Sequence, residues 1–139
     1  MRRIVGYGLL VAGLVALAGC GGPLTYNIQS SRLAPGGDAE IVADVKEELN
    51  QTSLTVHVKN LPPPARVNPN ATAYVGWIRK GSSAPWSRVG TVLFDTEGRT
   101  GELTGTVPEQ SFDFEISAEP NEGAQSPSSD VVFSQRIAK

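Results

Sequence analysis

From Ala39 to the C-terminus, apolar and polar residues alternate with a period of mostly two. Ala39, Ile41, Ala43 and Val45 alternate with Glu40, Val42 and Asp44; Leu54, Val56 and Val58 alternate with Thr55, His57 and Lys59. Such alternation puts one face of an extended segment in a core and the other in water, which is the mark of a half-buried strand. Asn50-Gln51 between the two runs suits a hairpin loop. A competing pattern makes residues 39–49 a helix, because Ile41, Val45 and Leu49 are spaced by four and Asp38 is placed to cap it. The hairpin is the preferred reading.

Five more runs follow, at residues 71–79, 87–94, 100–107, 112–118 and 131–137. Turn chemistry bounds them: Gly81-Ser82-Ser83, Asp95-Thr96-Glu97-Gly98, Pro108 and the loop 120–129. Pro62-Pro63-Pro64 lacks the donors of a central strand and reads as an extended connection. Phe112, Phe114, Ile116 and Ala118 alternate with Asp113, Glu115, Ser117 and Glu119, which sets that strand's inward face. Val75, Trp77, Phe112, Phe114 and Ile116 are the first core candidates. The spacing predicts an all-β fold, an antiparallel immunoglobulin-like β-sandwich of about seven or eight short strands.

The N-terminal pattern is different. Arg2 and Arg3 precede an uncharged run of 14 residues, Ile4 to Leu17. As a helix it would be about 21 Å long, short of a hydrocarbon core of about 30 Å. A charged start, a short apolar run and small residues after it read as a secretory signal peptide. Extending the run through Gly22 makes a marginal span, so an uncleaved anchor is the alternative. Residues 21–38, with Gly21-Gly22-Pro23, Ser30-Ser31 and Ala34-Pro35-Gly36-Gly37, read as a flexible tether with an end-to-end distance of about 20–25 Å. A short edge strand over 24–28 is the other reading of that stretch. The expected organisation is therefore a signal peptide at 1–19, a modified Cys20 with tether at 20–38, and a sandwich at 39–139.

Composition narrows the function. Fifteen Gly and ten Pro exceed the usual share of about 12% and favour strands joined by turns over a helical bundle. Twelve basic against 14 acidic residues exclude a strongly basic nucleic-acid binder. One His and one Cys leave little from which to build a catalytic or metal centre, so no enzyme and no cofactor is expected.

Leu17-Ala18-Gly19-Cys20 resembles the lipobox of bacterial lipoproteins. The resemblance implies that the Cys20 thiol receives a diacylglyceryl group and that the chain is cut between Gly19 and Cys20. The chemistry agrees, since a thiol is the most nucleophilic side chain available for a thioether. The processed chain would have 120 residues and a side-chain charge of −4 instead of −2. Acyl chains such as palmitate would anchor it to a membrane. With Cys20 the single cysteine, an intramolecular disulfide is impossible. Gly21 after Cys20 suits outer-membrane sorting in a diderm, with the domain facing the periplasm or exterior.

A second resemblance lies in Leu54-Thr-Val-His-Val58, Leu61-Pro-Pro-Pro64, Tyr74-Val-Gly-Trp77-Ile78, Gly90-Thr-Val-Leu-Phe94, Glu97-Gly98 and Phe114-Glu-Ile-Ser-Ala-Glu119-Pro120. Together they resemble the extracytoplasmic domain of RskA-type anti-sigma factors, over roughly residues 54–133. That likeness implies a β-sandwich outside the membrane. In that family a separate cytoplasmic helical domain binds the sigma factor, and these residues contain no counterpart, so anti-sigma activity is not implied.

Few side chains stand out as sites. Trp86 follows Ala84-Pro85 in a loop where the strand pattern requires no large aromatic, and exposed aromatics are favoured anchors of binding surfaces. The alternative folds it back as a lid over the sandwich edge. Arg79, Lys80 and Arg88 flank it as a local positive patch. His57, on a polar strand face, reads as solvated. Asp95-Thr96-Glu97-Gly98 lacks calcium-loop spacing and reads as a hairpin turn. Two functions fit: a non-catalytic interaction or sensing module that binds another envelope component through its loops, or a structural spacer without a discrete partner.

Overall fold

The computed structural model describes residues 22–139. Its first strand, β1 (Leu24–Gln29), turns Leu24, Tyr26 and Ile28 inward and pairs antiparallel with β2 (Asp38–Lys46). From Leu24 onward the expected tether is thus part of the sandwich. Three inward apolar side chains at period two, packed on the core, outweigh the turn-rich sequence around them. Residues 39–46 are strand and not the first turns of a helix over 39–49. After β2 comes only a single 3₁₀ turn, Glu47–Leu49, closed by Asn50 in the left-handed region at φ 50°. It leads into β3 (Gln51–Lys59), in which Thr52, Leu54, Val56 and Val58 are buried.

Pro63 is extended, as its ring favours, but Pro64 opens one helical turn, α1 (Pro64–Val67). A first helical position loses nothing from the missing N–H. After β4 (Ala73–Arg79), the run 87–94 divides into two strands. β5 (Ser87–Thr91) pairs with β4, whereas β6 (Leu93–Asp95) pairs with β7 (Thr100–Val107) in the opposite sheet. Val92, buried at the crossing, donates its N–H to the Tyr74 carbonyl at 2.8 Å. β8 (Phe112–Glu119) and β9 (Val131–Ile137) complete the chain.

The result is an all-β sandwich of two antiparallel sheets, ordered β1-β2-β3-β7-β6 and β5-β4-β8-β9. Ile41, Leu54 and Val56 of the first sheet meet Phe112, Phe114 and Ile116 of the second in the core. The five core candidates are all buried, but on two faces. Phe112, Phe114 and Ile116 point between the sheets. Val75 and Trp77 lie on the outer face of β4, outside the main core cluster.

The two ends of the sandwich differ in what they carry. One end holds the start of β1, the 47–50 turn, the 80–86 loop, residues 108–111 and the C-terminal Lys139. The other holds the 30–37 loop, α1, the 96–99 turn and the loop 120–130.

Candidate functional site

Arg79 is the last residue of β4, and the ladder places it opposite Asp113 of β8. Its Nε donates to Asp113 Oδ2 at 2.9 Å, and its guanidinium carbon lies 4.4 Å from the Trp86 ring centroid. That is a cation–π contact on a half-buried indole. From the other side, Arg136 of β9 donates to Asp113 Oδ1 at 3.1 Å and to the Lys80 carbonyl at 3.0 Å. The hydrogen bond from Arg79, with that from Arg136, holds the Asp113 carboxyl below its ordinary value against the opposing effect of burial.

Glu115, two residues along the same face, is buried and receives no hydrogen bond from any described residue. Loss of water pushes its carboxyl up; Arg79 opposes that shift, and Glu119 and Asp113 add to it. Trp86, Arg79, Glu115, Ser134 and Arg136 line a cleft of about 480 Å³ over this part of the sheet.

The structure therefore does not gather the four residues singled out around the loop into one unpaired positive patch. Arg79 and Trp86 come together, but Arg79 is paired with Asp113. Lys80 is exposed. Arg88 points along its strand and donates to Thr91 Oγ1 and to the Glu122 carbonyl. Trp86 is half-buried, with Arg79 stacked on one side of its ring. Cys20 and Gly19 lie outside the described residues.

Arg88 belongs to a second arrangement that sequence reasoning missed. Trp77 faces outward from β4 yet has no exposed surface. Its Nε1 donates to Ser117 Oγ at 2.8 Å, Ser117 Oγ donates to Glu119 Oε2 at 2.5 Å, and the Ser128 N–H donates to the same Oε2 at 2.8 Å. Ser128 Oγ donates to the Ala118 carbonyl at 2.9 Å. These bonds, with Arg88 on Glu122, draw the loop 120–130 onto the sheet. The one sequence signal was that Ser117 and Glu119 share a strand face. Nothing in the sequence marked the loop as their cover.

His57 is less isolated than its surroundings in the sequence suggested. Glu40 and Glu102 flank it across β2 and β7, and its Nδ1 lies 3.4 Å from Glu102 Oε2. With Asn27, Lys59 and Leu93 these residues line a shallow groove of about 1050 Å³ on the outer face of the five-stranded sheet. Among the described residues no group of three or more His, Cys, Asp or Glu is arranged to hold a metal ion. The Asp95–Gly98 segment is a turn in which the Glu97 N–H donates to Asp95 Oδ1 at 3.1 Å. The chain matches no family model, no curated protein and no solved structure at a significant level.

Proposed function

We propose that this chain is a lipid-anchored protein of the bacterial cell envelope, whose sandwich is a non-catalytic interaction or sensing module contacting another envelope component through its loops. The observation that carries this reading is Leu17-Ala18-Gly19-Cys20 directly behind a charged start and an apolar run too short to span a bilayer. The likeness of residues 54–133 to an extracytoplasmic sandwich agrees with that setting. The partly exposed Trp86, stacked on Arg79, is the side chain best suited to anchor a partner. The anchor is tested by Cys20→Ser with metabolic palmitate labelling and cell fractionation. Label is lost and the precursor stays unprocessed; continued labelling and normal processing of the variant overturn the reading. Cross-linking in intact cells then yields a discrete stoichiometric partner for a module, whereas diffuse products mean a spacer.

A further inference from the structure

The described fold changes what an anchor at Cys20 implies, because β1 begins at Leu24. Four residue steps separate Cys20 from Leu24, a reach of at most about 14 Å when fully extended. Leu24 does not stand at the rim of its sheet. It pairs with Ala43, which pairs with Leu54, and the ladder continues three pairs further to Lys46 and Gln51. At about 3.3 Å per residue, those pairs take up about 10 Å of the reach. The covalent reach from Leu24 therefore limits the anchor point to at most about 4 Å beyond the last pair, the pair that the 47–50 turn joins. Any less extended path brings the sandwich closer still.

The side chains at this end fit such a position. Leu49, in the turn, is 61% exposed and is the one exposed large apolar side chain at this end among the described residues; Leu33 and Leu93 are exposed elsewhere. Trp86 and Lys80 lie in the loop at the neighbouring corner. Trp, Lys and Arg are the side chains favoured where a bilayer meets water. Charge is arranged the same way. Lys46, Arg79, Lys80, Arg136 and Lys139 balance Asp44, Glu47, Glu48, Glu109 and Asp113 at this end, so the whole −4 of residues 20–139 lies elsewhere on the chain. An end whose side chains sum to zero meets an anionic leaflet with less repulsion than the acidic remainder would suffer.

We propose that the end carrying the 47–50 turn and the 80–86 loop rests on the bilayer that holds the anchor, with Leu49 and Trp86 as its interfacial contacts. The proposal depends on lipidation of Cys20. It gives the Trp86 loop the membrane surface as its partner and leaves the opposite loops and the His57 groove for other envelope components.

The test uses the full processed protein, extracted from its native membrane with its acyl group retained. Once Cys20 is acylated, Leu49→Cys and Glu97→Cys each provide a single free thiol, at the anchor end and at the opposite end. Each variant is labelled with nitrobenzoxadiazole and reconstituted into phosphatidylcholine vesicles brominated on their acyl chains. The probe at position 49 is quenched about threefold or more strongly than the probe at 97, and its emission shifts to the blue. Equal quenching in protein whose mass includes the lipid overturns this inference alone. A bare Cys20 by mass spectrometry overturns the anchor, and the inference with it.

Discussion

Glu119 is 2% exposed and accepts hydrogen bonds from the Ser117 hydroxyl and the Ser128 amide. Removing an acceptor leaves buried donors unpaired, at about 1–3 kcal/mol for each. Glu119→Ala therefore lowers unfolding free energy by about 2–4 kcal/mol in urea titration. Glu122→Ala is the matched control, because Arg88 uses only the Glu122 backbone carbonyl; its change stays within about 0.5 kcal/mol. Asp113 and Glu115 act in opposite directions with pH. The depressed Asp113 adds stability above its unfolded value and loses it as pH falls through its folded one. The raised Glu115 adds stability only while protonated, below its unfolded value, and loses it as pH rises through its folded one. Measured across pH, Asp113→Asn costs about 0.5–1 kcal/mol near neutrality and converges on wild type in acid, once the pH has fallen below the depressed Asp113 titration. Glu115→Gln does the reverse: it is more stable than wild type near neutrality and loses that advantage in acid. Parallel curves for the two variants would mean that neither carboxyl is perturbed as described.

At the scale of elements, legibility followed how local the determining contacts are. β7 and β9 coincide with runs 100–107 and 131–137, because alternation over seven or eight residues needs no knowledge of a partner. The break at Val92 was invisible. Leu93 and Phe94 continue the apolar run, and neither Gly nor Pro marks the place where the chain leaves one sheet for the other. The glycine-rich composition was only partly a sign of turns. Gly76 and Gly101 lie within β4 and β7, where a Cβ would come 2.4 Å from Leu103 Cδ2 and 2.8 Å from Val92 Cγ1 respectively. Those absent side chains make room for Leu103 of the facing sheet and for Val92 at the crossing, a packing role that spacing along the chain does not reveal. The same limit governed the candidate site. Arg79, Lys80, Trp86 and Arg88 are neighbours in sequence and were singled out together. The groups that decide what they do come from elsewhere in the chain: Asp113 and Arg136 reach Arg79 through strand register, and the Glu122 carbonyl reaches Arg88 from the loop 120–130.

For the whole molecule, the decisive segment is residues 24–38, whose sequence reads as either a tether or a short edge strand and which forms that strand and a packed loop. β1 shields the β2 edge through six paired positions, and the loop after it buries Ala34 completely. This segment also spans the two sheets. The Ser31 N–H donates to the Val132 carbonyl at 2.8 Å, Ser31 Oγ donates to the Val131 carbonyl at 2.7 Å, and the Ala138 N–H donates to Tyr26 Oη at 3.2 Å. One side of the sandwich is closed covalently, where β5 runs through Val92 into β6. Among the described residues, the other is closed without a chain connection, by these contacts between β1, its loop and β9 and by the Lys139–Glu47 ion pair at 2.8 Å. A chain of residues 39–139 would lose that closure and leave β2 as an unguarded edge, a template for pairing with other chains. It would also expose the core surface now covered by Leu24, Tyr26, Ile28 and Ala34. Half-burial of three large side chains is worth about 1 kcal/mol each, so the truncation costs about 3 kcal/mol or more before the lost hydrogen bonds are counted. Residues 22–139 are accordingly expected to unfold in one cooperative urea transition and to elute as one species. Residues 39–139 are expected to unfold at a lower midpoint and to form higher-mass species in size exclusion. Equal midpoints would return residues 24–38 to the role of a tether and free the sandwich to stand off the bilayer.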